Sequence, residues 1–309
     1  MVTLTSRVLL ALLGAMLLAG ACSSLPDQPD EIRTVRNRAA QYTEYGDNYY
    51  RRGQYEQART FYEIAYDLAG SVDSLGQIAN LHNSVGRTWQ AQGYRDEARR
   101  EYEQARRVAV RAGSARIEAE SIANLGSLAV GERNYGEAEA LFHEALELVD
   151  GNRNYRRQEA IIRHNLGAAY AGGGRFEEAR DQLERAKRIN SELNRRVELA
   201  SNHYMLASVA SRSGEYDAAL EHARQALELD RSMENTRGII ASLRAIATIS
   251  RRAERDEEAI EYLERALTVA RASDNRHASE AILDELVEVT DALGHTEQSA
   301  RYGEMLDEL

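Results

Sequence analysis

Small and apolar residues recur along this chain with a period of forty residues. A first column of small residues has successive spacings of 40, 40, 40, 41, 40 and 40; it consists of Gly46, Gly86, Gly126, Gly167, Ala207, Ala247 and Val287. Two all-alanine columns follow the first six of these positions by 12 and 19 residues; they are Ala58, Ala98, Ala138, Ala179, Ala219 and Ala259, and then Ala65, Ala105, Ala145, Ala186, Ala226 and Ala266. Such self-similarity is typical of an array in which each unit buries its apolar face against its neighbours. The sequence therefore predicts a repeat protein of about seven units.

Within one unit, apolar residues recur at helical spacing on both sides of a short interruption. In the third unit the first stripe contains Ile122, Leu125 and Ala129, and a second stripe begins at Ala138. Residues 131–134 separate the two stripes and contain glycine and asparagine, which favour turns. Each unit is therefore predicted to be a pair of helices joined by a tight turn.

The placement of proline supports an almost wholly helical body. Pro26 and Pro29 are the only prolines, so the strongest helix breaker is missing from residues 30–309. The breaks between units contain Gly, Ser, Asp and Asn, which are suited to capping the next helix. These breaks are Gly70–Ser71, Gly113–Ser114, Asp150–Gly151–Asn152, Asn194, Asn235 and Asp274–Asn275.

With these columns aligned, the chain resembles the tetratricopeptide repeat family. The segments NLGSLAVGERNYGEAEALFHEAL and NLGAAYAGGGRFEEARDQLERAK carry the family's small residue and both of its alanines. The forty-residue period is similar to that of the longer-helix subclass in LGN/Pins adaptors and kinesin light chains. The resemblance implies an all-α, right-handed superhelical solenoid of about seven helix-turn-helix units. The repeats are expected near residues 39–72, 79–112, 119–152, 160–193, 200–233, 240–273 and 280–309.

Two repeats depart from the family pattern. Ala223 stands in the fifth repeat where the family usually has an aromatic residue. The seventh repeat has Val287 and Ser299 at positions where small residues and alanine are usual, and it is acidic. Such an irregular, charged final unit is typical of a solvating cap.

Residues 1–21 are predicted to be an export signal. Arg7 precedes an apolar run from Val8 to Ala21, whose 14 residues are fewer than the roughly 20 that a spanning helix needs. The run ends immediately before Cys22, the only cysteine, and resembles a bacterial lipobox. Cys22 is therefore predicted to carry palmitate-type acyl chains. Cleavage by ordinary signal peptidase would also suit the sequence and would leave a free thiol.

Residues 22–30 form a short polar tether with prolines, and residues 31–309 form the predicted solenoid. Ser23 follows the cysteine. In Gram-negative lipoproteins an aspartate there signals inner-membrane retention, so the resemblance favours the outer membrane, facing the periplasm.

The formal net charge of −11 bears on the class of partner. An acidic chain is a poor match for nucleic acid as a main partner, and it does not adsorb electrostatically to anionic lipid. Membrane attachment would therefore depend on the acyl chains on Cys22.

The family resemblance implies a binding site on the first helix of each repeat. Positions that lie about 130° from the packed face line a concave groove in this family, at roughly 100° of rotation per residue. Polar residues at and beside these positions are expected to hold an extended protein or peptide ligand, with an arginine taking a carboxylate. The candidate residues are Asn83, Arg87, Asn124, His164, Asn165, Tyr204, Arg244 and Arg251.

No motif of catalysis or cofactor binding emerges from the sequence. His143-Glu144 lacks a second histidine at the zincin spacing, so no metal site is predicted. The glycines 172–174 form an inter-helix turn without a preceding strand, and no G-x-S-x-G or phosphate-binding loop is found. The chain is therefore predicted to be neither an enzyme nor a cofactor-binding protein.

The leading hypothesis is a membrane-anchored scaffold or adaptor that binds peptide segments of envelope partners. Two alternatives use the same fold. The protein could be an assembly factor resembling pilotins of secretion or pilus machines, or a regulatory subunit that positions a cell-wall enzyme.

Overall fold

The structure, a computed structural model, describes residues 30–309 of the chain. Within that range it contains fourteen α-helices and a 3-10 helix, and no β-strand. In chain order the α-helices are α1 (Asp30–Arg51), α2 (Tyr55–Ser71), α3 (Leu75–Ala91), α4 (Arg95–Arg111), α5 (Ala115–Gly131), α6 (Tyr135–Val149), α7 (Arg156–Gly172), α8 (Phe176–Glu192), α9 (Arg196–Arg212), α10 (Tyr216–Ser232), α11 (Thr236–Arg252), α12 (Asp256–Ala272), α13 (Arg276–Ala292) and α14 (Thr296–Asp307). The 3-10 helix Arg153–Tyr155 lies between α6 and α7. The predicted all-α array of helix-turn-helix units is confirmed.

The forty-residue period follows directly from the lengths of these elements. Most helices have 17 residues, and most are separated by three-residue turns. The odd-numbered helices, called first helices below, are each followed by a second helix. First helices from α3 onward begin four residues before the expected repeat boundaries, as α3 does at Leu75 rather than at residue 79. The small-residue columns mark where helices cross, and they do not mark where helices begin.

The alanine columns lie in the buried interior of the helix array. All twelve alanines of the two columns are fully buried. Gly126 in the first column lies against Phe142, such that a Cβ atom on Gly126 would come within 2.8 Å of the phenylalanine Cε1 atom. A small residue on one helix therefore lets a large residue on the other pack directly against its backbone.

The helix caps agree with the sequence only in part. The side chains of Ser114 and Asn275 accept hydrogen bonds from the first turns of α5 and α13, as predicted. Asn194, in contrast, adopts a left-handed conformation with φ of 53°, and the amide of Asn235 donates to the carboxylate of Asp230. Asn194 is thus the middle residue of its turn, which takes a positive φ, whereas Asn235 joins the start of α11 to the end of α10.

The chain divides into two compact units, one ending at Gln77 and the other spanning Ile78–Leu309. In the first unit the aromatic rings of Tyr42 and Tyr49 stack on Phe61, with centroid distances of 6.3 and 5.1 Å. Tyrosines are frequent between residues 42 and 66, and these contacts show that some of them pack inside the first unit. All predicted groove residues belong to the second unit.

The proposed signal peptide, Cys22 and most of the tether lie outside the described residues. Between Asp30 and Leu309, none of the helices is both long and apolar enough to cross a bilayer.

Candidate functional site

Polar side chains link each first helix of the second unit to the next first helix. Asn124 donates to Asn83 across α5 and α3 at 3.2 Å, and Asn165 donates to Ser127 across α7 and α5 at 3.3 Å. The series continues with Asn202 to His164 at 2.9 Å, Arg252 to Ser211 at 3.2 Å, the Arg244–Glu285 ion pair, and the Arg251–Glu288 ion pair at 3.0 Å. Five successive helix pairs are therefore held together by side chains from one polar face.

Most residues predicted to contact a partner take part in these links. Asn83 is only 1% exposed, so it packs between helices and does not face solvent as expected of a groove residue. Asn124 and Asn165 are partly buried, and the side-chain amide of each donates a hydrogen bond to the preceding first helix. The first-helix spacing places these residues on one face, but burial between adjacent repeats removes Asn83 from the accessible surface.

His164 is held by a relay of buried amides. The Asn190 amide donates to the Asn202 carbonyl oxygen at 2.7 Å, and the Asn202 amide in turn donates to Nδ1 of His164 at 2.9 Å. In this arrangement Nδ1 is an acceptor, so the ring proton of the neutral histidine lies on Nε2. Burial lowers the pKa of His164 below its ordinary value, which favours the same neutral form.

The remaining candidates differ in how accessible they are. Arg87 donates to Ser84 on its own helix at 2.9 Å, and Tyr204 has 39% of its surface exposed. Arg244 and Arg251 are both partly exposed, and both form ion pairs with acidic residues of α13. The seventh repeat, predicted to be an acidic cap, therefore supplies carboxylates to the sixth.

Four cavities follow one another along the first helices α7, α9, α11 and α13. Cavity A, of about 80 Å³, lies beside Ile161 and His164, and it shares Ser201 with cavity B, of about 200 Å³. Cavity B shares Tyr204 and Ala241 with cavity C, of about 310 Å³. Cavity C shares Thr248, Arg252 and Glu285 with cavity D, of about 570 Å³. Because each cavity shares lining residues with the next, the four form a continuous depression, named the first-helix groove below.

The first-helix groove changes in character along its length. Ile161, Val197 and Tyr204 expose 37%, 60% and 39% of their surfaces near cavities A and B. Cavity C is lined by Arg244, Arg252 and Glu285 together with hydroxyl groups, and cavity D adds Arg251 and Asp256. One end therefore offers apolar contact area, and the other offers charged groups of both signs.

Of the predicted residues, His164, Asn165, Tyr204, Arg244 and Arg251 line this groove. Asn83, Arg87 and Asn124 do not line any of these four cavities.

Arg252 also lines the groove, although the sequence reasoning did not select it. The sequence could have indicated it, because residues 244, 248 and 252 are spaced four apart and therefore share one face of α11.

A second group of titratable side chains lies away from the groove. The Tyr170 hydroxyl donates to Glu139 at 3.0 Å and lies 3.1 Å from Nε2 of His143. Burial and the Glu139 carboxylate raise the pKa of Tyr170 to about 12, so the phenol stays protonated near neutral pH. Arg175 stacks on the same ring at 4.4 Å. These contacts join α6, α7 and the turn that precedes α8.

Metal-binding groups do not gather in the described part of the chain. Within residues 30–309, no three His, Cys, Asp or Glu side chains are arranged so that they could hold a metal ion.

Known structures with the same fold include several repeat proteins. A signal-transduction ATPase with a tetratricopeptide repeat sensor, from Pyrococcus horikoshii, aligns over 88% of this chain and 42% of its own, with a TM-score of 0.68 and 14% identity. A Rap protein complexed with competence and sporulation factor aligns over 88% of this chain and 74% of its own, with a TM-score of 0.64 and 15% identity.

A putative kinesin light chain with nearly identical tetratricopeptide-like repeats, from Podospora anserina, aligns over 65% of this chain and 98% of its own. Its TM-score is 0.55 and its identity is 18%. At these identities the likeness concerns the fold. No curated protein matches the chain in sequence.

Family models identify the repeats directly. Models of the tetratricopeptide repeat match residues 118–192, 158–232 and 204–276, which together span more than half of the chain. Solenoids of this kind are interaction scaffolds, because stacked repeats present an extended binding surface. The matched residues include most of the first-helix groove. The chain belongs to the tetratricopeptide repeat family.

Proposed function

We propose that this protein is a non-catalytic, membrane-anchored scaffold that binds an extended peptide segment of a cell-envelope partner. The observation that carries the proposal is the continuity of the first-helix groove from Ile161 to Arg252. Neighbouring helices pack about 8–10 Å apart, so four successive first helices span roughly 25–30 Å. An extended segment of about eight or nine residues would cover that length.

The lining of the groove suits such a ligand chemically. The exposed surfaces of Ile161, Val197 and Tyr204 provide apolar area near one end, where side chains of the ligand would bury. Asn165 and Ser201 lie beside them and can exchange hydrogen bonds with the peptide backbone, and Nε2 of His164 can donate. Tyrosine and arginine are residue types that often dominate binding energy at interfaces, and both line cavity C.

The similar structures are compatible with this role. The Rap protein was determined with competence and sporulation factor bound, and the Pyrococcus horikoshii ATPase carries its tetratricopeptide repeats as a sensor.

The placement at a membrane rests on the N-terminal sequence. The apolar run ending at Ala21 and the cysteine that follows it support export and lipid attachment at Cys22. The short tether would then hold the repeats close to the membrane surface, where envelope proteins are within reach.

Site-specific photo-cross-linking in cells tests the groove. A benzophenone amino acid at Tyr204 would place the reactive group in cavities B and C. The same replacement at Tyr94, which is 52% exposed and lines none of the four cavities, serves as the matched control. We expect a discrete adduct from position 204 that is missing from position 94.

Changing Ile161 and Val197 together to Asp should abolish the adduct from position 204, because it removes the apolar contact area. Equal adducts from both positions, or an adduct that survives the double change, would place the partner outside the groove.

A further inference from the structure

The first repeat exposes a position that the later repeats bury. Tyr45 stands one residue before the first small-residue column, where repeats three to seven have Leu125, Leu166, Leu206, Ile246 and Leu286. Each of these five residues is at most 6% exposed, whereas Tyr45 is 41% exposed. Leu125 packs with Ala98 and Tyr102 of α4, the preceding second helix, in one buried cluster. Among residues 30–309 no second helix precedes α1, so Tyr45 lacks such a cover.

The second helix of the first repeat extends the same uncovered surface. Ile64 lies 18 residues after the first small-residue column, at a position where repeats two to six have Gln104, Glu144, Arg185, Gln225 and Arg265. Glu144 shows where this position points, because it forms an ion pair with Arg106 of the preceding second helix, α4. Ile64 is 37% exposed, and Phe61, one turn before it, lies edge-on to the ring of Tyr45 at 5.8 Å. An apolar patch thus stands where the later repeats meet a preceding helix.

Charged residues extend from this patch along α1 at intervals of seven. Seven residues are close to two helical turns, so the side chains of Glu31, Arg38, Tyr45 and Arg52 follow one line along the helix. Arg52 directly follows the last residue of α1. All four residues are exposed, and the three charged ones form no ion pair within residues 30–309. This line together with Phe61 and Ile64 is named the N-terminal face below.

The line of residues is complementary to itself when its direction is reversed. We infer that the N-terminal face pairs with the same face of a second copy of this chain, with the two α1 helices antiparallel. Reversal places Glu31 opposite the partner's Arg52, and Arg38 opposite the ring of the partner's Tyr45. The first contact is an ion pair and the second is a cation–π contact, and the two-fold axis repeats both. The pairing does not depend on the proposed peptide binding, because the first-helix groove belongs to the second unit.

A second copy fits this face better than the chain's own N-terminus or a lipid surface. The predicted mature chain has only residues 22–29 before α1, about half the length of a 17-residue second helix, and they include two prolines. Anionic headgroups would attract Arg38 and Arg52 but would repel Glu31. A second copy satisfies charges of both signs, and tyrosine and arginine are enriched at protein interfaces.

Pairing would make the proposed scaffold bivalent. Each assembly would carry two first-helix grooves and two copies of Cys22, so a partner with two binding segments would be held by avidity in addition to single-site affinity.

Photo-cross-linking of the full chain in cells tests the pairing. A benzophenone amino acid at Ile64 would place the reactive group on the N-terminal face. The matched control is the same replacement at Val110, an apolar residue that is 55% exposed on another second helix, α4. We expect an adduct of twice the chain's mass from position 64 that is missing from position 110, and mass spectrometry should find only peptides of this chain in it. No adduct from position 64, or an adduct with lipid or with a different protein, would overturn the inference.

A charge swap tests the antiparallel arrangement. Residues 31 and 52 are separated by roughly 30 Å along α1, at about 1.5 Å per residue, so they cannot touch within one copy. Glu31→Arg or Arg52→Glu alone should lower the yield of the double-mass adduct about fivefold, because both ion pairs become contacts between like charges. The two changes together restore opposite charges between the copies, and the yield should return to within about twofold of the parent.

A charge reversal elsewhere controls for net charge. Arg271→Glu changes an exposed position in the last turn of α12 and should leave the yield within about twofold of the parent. Circular dichroism of each purified variant checks that it remains folded. An equal loss from Arg271→Glu, or a double swap that recovers no adduct, would overturn the antiparallel pairing. Cross-linking at Tyr204 reports on a different surface, so either proposal can fail while the other stands.

Discussion

At the scale of single residues, each glycine of the first small-residue column makes room for one large side chain sixteen residues later. An added Cβ would lie within 2.4–2.8 Å of the paired ring or leucine, because Gly46, Gly86, Gly126 and Gly167 lie against Tyr62, Tyr102, Phe142 and Leu183. In the fifth repeat the partner is Ala223, and there the column contains Ala207 instead of glycine. Where the small Ala223 replaces the usual large side chain, the glycine across the helix crossing is therefore replaced by the larger alanine, Ala207.

This pairing predicts that Gly126→Ala destabilises the protein. The new methyl group would lie 2.8 Å from Phe142, inside van der Waals contact, and overpacking of this kind costs about 1–3 kcal/mol. Gly136→Ala is the control, since nothing lies within 4 Å of its Cβ position and alanine favours the helix by about 0.5–1 kcal/mol. Urea unfolding should show the first variant less stable and the second at least as stable as the parent.

A double variant tests whether the sizes of residues 126 and 142 are matched. The sixth repeat combines Ala247 with Leu263 at the two paired positions. Adding Phe142→Leu to Gly126→Ala reproduces that pair and should recover part of the lost stability. If the double variant is as unstable as the sum of both single changes, the pairing does not explain the column.

His203 and His222 give the second unit a dependence on pH. Their Nδ1 atoms lie 3.2 Å apart, and His203 is 9% exposed. Burial, the neighbouring His222 and the ammonium group of Lys187 lower the pKa of His203 to about 4 despite the opposing carboxylates of Glu184 and Glu221. In the unfolded chain an ordinary histidine pKa of about 6.5 applies. The folded state therefore binds fewer protons than the unfolded state between these two values.

This difference in bound protons sets the direction in which stability changes with pH. The contribution of His203 to stability is fully present above about pH 6.5 and is lost as the pH falls toward 4, by roughly 2–3 kcal/mol over the whole interval. Comparing the free energy of unfolding at pH 7.5 and 5 should show a smaller loss for His203→Gln than for the parent. His277→Asn changes an exposed histidine and should leave the loss unaltered. Parallel pH profiles for the parent and His203→Gln would contradict this account.

At the scale of elements, the periodicity predicted the helix pairs but not their ends. Helix type follows from the 3.6-residue spacing of apolar residues, which is visible in any one repeat. The ends depend on one residue of each turn adopting a left-handed conformation. Glycine does so at Gly93 and Gly214, but Arg133 and Glu254 also do so, with φ of 60° and 58°. Nothing in the identity of an arginine or a glutamate marks a left-handed turn, so the sequence could not locate those ends.

The 41-residue spacing between the third and fourth repeats has a local structural basis. The extra residue lies in the connection from α6 to α7, which contains the 3-10 helix. Arg163 joins this connection to the body by donating to Asp150 at 3.0 Å, to Glu159 at 2.9 Å and to Gln182 at 3.0 Å. Arg163 and Glu159 are 7% and 4% exposed, so this is a buried ion pair.

Removing one partner of that pair should be costly. Arg163→Met leaves the Glu159 carboxylate buried beside Arg156 alone, at 3.4 Å, and we expect a loss of roughly 3 kcal/mol. The double variant Glu159→Leu, Arg163→Met replaces both charges by apolar groups and should be more stable than the single variant. Chemical unfolding of the two proteins measures the difference. Equal stability of both would show that the charge left behind is solvated.

At the scale of the whole molecule, the sequence placed the candidate residues on one face of the repeats but could not tell which of them are accessible. Position within the first helix placed His164, Tyr204 and Arg244 on one face, and all three line the first-helix groove, whose role in binding a partner stays a prediction. The links between repeats were not predictable in the same way, because they join residues about forty positions apart through particular rotamers. Asn83 is consequently buried by a contact that no single repeat reveals, and Arg252 lines two cavities without having been selected.

The predicted attachment to a membrane concerns the part of the chain that precedes Asp30. Within the described residues no helix could span a bilayer, and the charge of −11 opposes adsorption to anionic lipid. Attachment would then require acyl chains, and one chain of myristoyl length binds only marginally whereas two or more anchor stably. Replacing Cys22 by Ala should therefore move the mature protein from the membrane fraction to the soluble fraction of the envelope, or block its processing.

Fractionation combined with mass spectrometry of the N-terminal peptide tests this expectation. The parent should give a peptide that begins at Cys22 and carries acyl chains, and Ser23→Ala should give the same, since it leaves the cysteine in place. An unmodified Cys22 on the mature parent would instead support cleavage by ordinary signal peptidase, which the sequence also accommodates. In that case the groove could still bind its peptide, but the protein would meet its partners by diffusion through the compartment and not at a membrane surface.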